Sequence, residues 1–280
     1  MKIKITSDST CDLSKELLEK YDITMKPLTI VKDGEEFSDG VTITPADIFA
    51  HVDNGGSLCS TAAINSVDYE EFFKANLEGY DALIHINIGS GFSSCFQNAN
   101  LAASEFENVY AVDSQNLSTG QGLVVLEAAE KAAELDDPQA VVDYLNELTP
   151  KVEASFVLSR LDYMVKGGRC SSAAALGANL LKLNPCIDVK DGKMGVSKKY
   201  RGRYSKCLKD YIKERLEGRD DIRTDKIFLT RTPVSDDEWE VAKNTLAEYG
   251  KFDNVYETMA GCTVSCHCGP GTLGILFIRK

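Results

Sequence analysis

"DALIHINIGSGFSSCFQNANLAASEF", residues 81–106, is the stretch whose reading decides the fold. A mostly apolar run ends at Gly89, a turn of small residues follows, and a helix-forming segment comes after it. A short apolar run bounded by turn residues reads as a buried strand, and strand, turn and helix together make one unit of a parallel sheet. Neighbouring stretches repeat the alternation. "KIKITSDS" (2–9) reads as a strand ending in a polar turn. "TPADIFAHV" (44–52) opens a helix with Thr44 as cap, Pro45 first and Asp47 three after the cap. "AVDSQNLSTGQGLVVLEAAEKAAEL" (111–135) reads as a strand end, a loop and a helix from about Ser118, where Ser118 and Gln121 form a capping box.

The second half has another texture. "CIDVKDGKMGV" (186–196) is two short strands around Asp191-Gly192, a strong hairpin signal. "IFLTRT" (227–232) is a strand, and "SDDEWEVAKNTLAEYG" (235–250) a helix capped at Ser235 and stopped at Gly250. Hairpins mixed with helices predict an α+β lobe. The boundary falls after the helix that opens at Asp137-Pro138, giving an α/β lobe over 1–155 and an α+β lobe over 156–280. No repeat or low-complexity linker separates them, so the lobes meet face to face, and ligand sites favour such seams.

At 280 residues, with 43% hydrophobic and 26% charged residues, the chain is of ordinary globular composition. Its 31 basic and 43 acidic residues leave a net charge of −12, which argues against a protein that reads the nucleic-acid backbone. The opening "MKIKITSDST" lacks a signal-peptide apolar run, and no stretch is long enough to insert stably in a membrane. Nine cysteines, an odd number, fit a reducing compartment. A cytoplasmic protein is expected.

Five stretches could carry chemistry. In "INIGSGFSSCFQ" (86–97) the helix start aims free N–H groups at one point, and Ser93 and Ser94 add hydroxyl donors, so an anion pocket or a plain serine cap are both open readings. Gly89, Gly91 and Ser94 also approximate a dinucleotide fingerprint, with Asp113 where a ribose-binding acid would sit. A nucleophile elbow fits worse, because Gly91 and Cys95 flank Ser93. In "SLCSTAAINS" (57–66), Ser60 and Thr61 place hydroxyls at a strand's end or in a simple turn. "LDYMVKGGRCSS" (161–172) ends a short helix at Gly167-Gly168 and presents Arg169, either an anion clamp or a solvated charge. "SKKYRGRYSK" (197–206) is a basic run on an acidic chain.

"GCTVSCHCGPGTLG" (261–274) brings Cys262, Cys266, His267 and Cys268 together. Residues 262–268 read best as a strand, followed by another over 272–279. Strand alternation then puts Cys262, Val264, Cys266 and Cys268 on one face and Thr263, Ser265 and His267 on the other. A zinc site needs converging ligands, usually in pairs, yet His51 and His85 stand alone. The expectation is a packed thiol face, no metal, and His267 on a polar face beside a Gly-Pro-Gly turn.

Eight motifs occur in order: "SDSTCDL" (7–13), "STAAIN" (60–65), "GSGFSSCFQNA" (89–99), "VDSQNLSTGQG" (112–122), "LDYMVKGGRCSS" (161–172), "NPCIDVKDGK" (184–193), "KYRGR" (199–203) and "HCGPGTLGI" (267–275). This set, spanning essentially the whole chain, resembles the DegV family, the bacterial fatty-acid-binding proteins that serve as FakB subunits of fatty acid kinase. The resemblance implies a two-lobed DegV-like fold with a long-chain fatty acid between the lobes and no other cofactor. It implies that Thr61, Ser93 and His267 hold the carboxylate. An ATP-dependent catalytic subunit (FakA-like) would then phosphorylate the bound acid to an acyl phosphate for phospholipid synthesis. Ser94, Arg169, Arg201 and Arg203 become candidates for the carboxylate region or for docking the kinase.

Where the family commonly has "SGLSGTY" this chain has "SGFSSCF", so Phe92 and Phe96 are expected to reshape the acyl tunnel. Cys266 and Cys268 stand where the family commonly has small or β-branched residues. No G-x-x-x-x-G-K-[ST] loop is present, which favours a carrier without catalysis of its own. Two other classes remain open: a hydrolase with Ser93 as nucleophile, His267 as base and Asp8 or Asp113 as acid, and a nucleotide-binding enzyme built on Gly89, Gly91 and Asp113.

Overall fold

The computed structural model describes residues 1–175 and 183–280. In the first half the chain forms β1 (Ile3–Asp8), α1 (Lys15–Lys20), β2 (Thr24–Lys26), β3 (Thr29–Lys32), β4 (Glu35–Ser38), α2 (Pro45–Asp53) and β5 (Ser60–Ala62). It continues through α3 (Ser66–Leu77), β6 (Ala82–Asn87), α4 (Cys95–Ala103), β7 (Val109–Asp113), α5 (Ser118–Glu134) and α6 (Pro138–Leu148). All six residues of β6 are buried, as a central parallel strand requires. The sheet β2-β1-β6-β7 is parallel throughout, with β6 between β1 and β7.

The second half forms β8 (Val152–Leu158), α7 (Asp162–Gly167), α8 (Ser171–Ala174), β9 (Leu183–Lys190), β10 (Lys193–Arg201) and α9 (Tyr204–Leu216). Then follow β11 (Ile222–Arg231), α10 (Asp236–Tyr249), β12 (Asn254–Met259), α11 (Cys262–Cys268) and β13 (Thr272–Arg279). Its six strands are ordered β10-β9-β8-β13-β11-β12, antiparallel except for the β11–β12 pair. This is the α/β fold with a parallel first sheet and a mixed second one. Residue 155 lies inside β8, which enters the second sheet at Val152.

Local signals explain most boundaries. Thr44 and Asp47 close a capping box on α2, Ser235 and Glu238 another on α10, and Asp137 caps α6. Asp191 and Gly192 turn the β9–β10 hairpin with φ of 51° and 69°, the left-handed pair that a tight hairpin needs. A third, three-stranded antiparallel sheet, β4-β3-β5, packs with α2 and α11 around Ile30, Ile48 and Phe49.

Two expectations are corrected. Residues 262–268 form the helix α11, so Cys262 and Cys266, four apart, face the small sheet, while Val264 and Cys268 join the main core. The capping box at Ser118 is absent: Leu117 takes the cap position and Ser118 has φ 52°. The Gln121 side chain, wholly buried, instead donates to Ser7 and Asp8 and accepts from Thr10, tying α5 to the end of β1.

A buried ion cluster joins the lobes. Glu127 of α5 accepts from Arg223 at 2.7 Å and Lys226 at 2.9 Å, both on β11, and Lys226 also reaches Glu130 at 2.6 Å. Tyr144 donates to the same Glu127 carboxylate.

Candidate functional site

The turn after β6 is held from beneath. Asp8, fully buried at the end of β1, accepts the Ile88 N–H at 2.8 Å and bonds to Thr10 and Gln121. Burial raises its pKa above the ordinary carboxyl value, and the hydrogen bonds oppose that. Asp113 accepts the N–H groups of Ser90 and Gln115 at 3.0 and 2.9 Å. The turn therefore leaves the sheet in one geometry, and α4 begins with Ser93 Oγ accepting the Cys95 N–H at 3.2 Å. Ser94, at the cap position, makes no side-chain cap bond and is exposed.

α11 approaches from the other side, and its start is capped by two carboxylates from the distant first half. Asp39 accepts the N–H of Cys262 at 2.9 Å and of Thr263 at 3.2 Å, together with the hydroxyls of Thr263 and Ser9. Asp12 accepts the Gly261 N–H at 2.8 Å and the Ser118 hydroxyl at 2.5 Å. Burial, reinforced by nearby Asp39 and Asp8, pushes Asp12 up to about 8. Nothing in residues 258–268 supplies this cap, which is why local reading misses the helix.

The far end of α11 carries His267, whose Nε2 lies 2.9 Å from Thr61 Oγ1 on β5. Burial, then the Arg169 charge, lowers its pKa to about 4, so the imidazole is neutral at physiological pH. Its Nδ1 is buried without a partner among the described residues, and a Cβ on Gly167 would stand only 2.5 Å from it. Arg169 donates to Gly167 O at 2.6 Å and to Phe92 O at 3.4 Å, linking the end of α7 to the β6–α4 turn.

Thr61, Ser93, Ser94, Arg169 and His267 all line one cavity of about 210 Å³ at the seam. Apolar wall is supplied by Leu28, Ile88, Phe92, Met164 and Met194, among others. Leu117, Val264 and Cys268 line it too, and the same three border a second, narrow space of about 30 Å³ walled by Ala154, Phe156, Val189 and Leu276. A chamber with polar groups set in a largely apolar wall thus lies next to an apolar slot. Burial pushes the Cys268 thiol up to about 12, as for an unreactive packing residue. Phe92 is in the wall, whereas Phe96, partly exposed on α4, is not. Arg201 and Arg203 are exposed at the end of β10 and the cap of α9, outside the cavity lining. Among the described residues no group of three or more His, Cys, Asp or Glu is placed to hold a metal ion.

The catalytic and nucleotide alternatives gain no support. The His267 Nε2 contact is to Thr61, Ser93 bonds to Cys95, and Asp8 and Asp113 are committed to the turn. Gly89 and Gly91 serve close packing within the chain: a Cβ on Gly89 would lie 2.9 Å from Asn116 N, and one on Gly91 would overlap Gly192 O at the hairpin tip. The residues not foreseen are Asp12, Asp39, Gly167, Met194 and the slot lining. They act only once segments distant in sequence meet.

The chain belongs to the DegV family: the family model, described as an uncharacterised protein of the DegV family, matches residues 2–280. A DegV domain-containing protein of Clostridium perfringens is 32% identical over 100% of this chain and 99% of its own length. Among solved structures, a fatty-acid-binding DegV family protein from Thermus thermophilus superposes with a TM-score of 0.90 at 28% identity, over 100% of both chains. A stearic-acid-binding protein from Eubacterium ventriosum gives 0.84 at 26% identity, over 99% of this chain and 98% of the other. The fold is therefore the two-lobed DegV fold. No helix of the described residues is long and apolar enough to cross a membrane.

Proposed function

We propose that this chain is a cytoplasmic bacterial carrier that binds one long-chain fatty acid at the seam, its carboxylate at Thr61, Ser93 and His267. One observation carries the reading: the hydroxyls of Thr61 and Ser93, the neutral His267 and the Arg169 guanidinium converge on a chamber whose remaining wall is largely apolar and which borders an apolar slot. A buried carboxylate needs such donors. The tail contributes about 0.8 kcal/mol per buried CH2, against association and ordering costs of several kcal/mol. The fatty-acid ligands of the related structures support the same reading.

The carrier presents its carboxylate to an ATP-dependent kinase subunit, which forms the acyl phosphate for phospholipid synthesis. Ser94 and Arg169 lie at the presented end, and the exposed Arg201 and Arg203 belong to the docking face. The lobes divide near residue 155. Native mass spectrometry of the purified protein tests the binding step: a co-purifying fatty acid is expected, and a consistently empty protein refutes it. Ser93→Ala and His267→Ala should each weaken retention; unchanged retention in both overturns the site assignment. Addition of kinase subunit and ATP should yield acyl phosphate only with the carrier present.

A further inference from the structure

Two glycines, one from each half of the chain, meet beside the chamber. Gly91 lies in the β6–α4 turn, two residues before Ser93. Gly192 lies at the tip of the β9–β10 hairpin, two residues before Met194. Ser93 and Met194 both line the chamber, and neither glycine does. A Cβ on Gly91 would overlap Gly192 O, so the two backbones touch with no side chain between them. The turn has no room to retreat from that contact. Its Ile88 and Ser90 N–H groups are bonded to Asp8 and Asp113, and a Cβ on Gly89 would stand 2.9 Å from Asn116 N. The hairpin is the softer side. β10 is an edge strand paired with β9 alone, Asp191 is exposed at the tip, and a Cβ on Gly192 would meet nothing nearer than Gln115 Cβ at 3.7 Å.

We propose that the Gly91–Gly192 contact is a spacer that sets how closely Met194 approaches the Ser93 turn, and that the chamber thereby selects acids unbranched beside the carboxyl group. The proposal rests on the carrier reading above, which puts the carboxylate and the first carbons of the chain in this chamber. Backbone against backbone is the closest approach two segments can make, and glycine at 91 permits it. With the carboxylate held at the turn, the carbons next to it run among Leu28, Phe92, Met164 and Met194. A methyl branch on the second carbon widens the ligand where it is fixed at one end and cannot slide away. Forcing one extra methyl group into packed surroundings is worth roughly tenfold or more in affinity. Gly91 and Gly192 are positioning residues in this scheme, and Met194 is the side chain through which they act.

The test is competition against a fluorescent fatty acid on the intact protein, using the isomers heptadecanoate and 2-methylhexadecanoate. Wild type should bind the branched acid about tenfold more weakly than the straight one. Gly91→Ala wedges the hairpin away from the turn and should bring that ratio below about threefold. Met194→Ala widens the chamber without touching the contact and should lower the ratio in the same way. A wild-type ratio below about threefold refutes the selectivity. Equal weakening of both acids in Gly91→Ala, with the ratio kept, shows a merely structural contact and refutes the spacer. Should Gly91→Ala fail to fold, Met194→Ala decides, because an unchanged ratio there overturns the proposal. Failure of heptadecanoate to bind wild type refutes the carrier reading and this proposal with it.

Discussion

Replacing Asp39 by Asn isolates the device that holds α11. The carboxylate is 5% exposed and receives four donors: two N–H groups at the start of α11 and the hydroxyls of Thr263 and Ser9. Asparagine keeps the shape and one acceptor oxygen, which continues to serve Cys262. Its amide nitrogen then faces the Thr263 N–H, donor against donor, while the two hydroxyls rotate to accept. A buried donor stripped of its acceptor costs about 1–3 kcal/mol, and making the surviving bond neutral removes about 1 more. The expected loss is about 3 kcal/mol, a large part of the roughly 5–15 kcal/mol of a typical fold. At about 2–4 °C per kcal/mol for chains of 150–250 residues, the melting temperature should fall by about 6–12 °C. Urea unfolding gives the first number and calorimetry the second. Because α11 carries His267 to Thr61, loss of a bound fluorescent fatty acid should also accelerate in Asp39→Asn. A destabilisation below about 0.5 kcal/mol, the scatter of an ordinary surface substitution, would refute the cap as the anchor of this helix.

Asp12 gives a pH dependence of unusual sign. Its folded value, about 8, lies above the ordinary carboxyl range, so the folded state holds the proton more tightly than the unfolded chain. Its contribution is fully present below about pH 4 and is lost as pH rises towards 8, by at most about 1.4 kcal/mol per unit. Asp12→Asn should flatten the urea midpoint between pH 5 and about 8, relative to wild type; an unchanged slope contradicts the assignment. Gly167→Ala should press on His267 Nδ1, breaking the Thr61 contact and weakening fatty-acid affinity by about tenfold, the worth of one good hydrogen bond; equal affinity in a competition assay counts against His267 as a ligand group. Glu127→Gln strips the shared carboxylate from Arg223 and Lys226 and should cost about 3 kcal/mol in urea unfolding, with little change in ligand affinity.

Sequence legibility follows the range of the forces involved. Thr44, Asp137, Ser235 and the Asp191-Gly192 turn act within four residues, and each was readable because cap and turn geometry are local. The parallel character of the first sheet was readable from β6, whose apolar run reflects burial on both faces. The segment 262–268 was not. Alternating cysteine, valine and hydroxyl residues suit a strand, and the groups that make it a helix are Asp12 and Asp39, more than 200 residues away. Ser118 and Gln121 misled for the opposite reason: a locally correct capping pattern was overridden when Gln121 found better partners in Ser7, Asp8 and Thr10. Within the site, Thr61, Ser93, Arg169 and His267 stand out one by one in their local stretches, but only the fold brings them to one cavity. Ala154 and Val189 look like ordinary core residues in the sequence, and only the register of β8 and β9 sets them side by side in the wall of the slot.

The remote capping of α11 also constrains the order in which the molecule assembles. Seven residues are too few for a helix to persist alone in water, since nucleation is unfavourable and few bonds repay it. Residues 262–268 therefore stay coil until Asp12 and Asp39 have been positioned by an already formed first half. Contacts across such a separation close late, because loop entropy is lost before they reward it. The amides of Ser265 and Gly269, bonded to Gly261 O and Ser265 O, are accordingly reporters of lobe docking. In pulse-labelled refolding they should gain protection after β1 and β6. The wall of the cavity that carries His267 is then a late part of the protein to form.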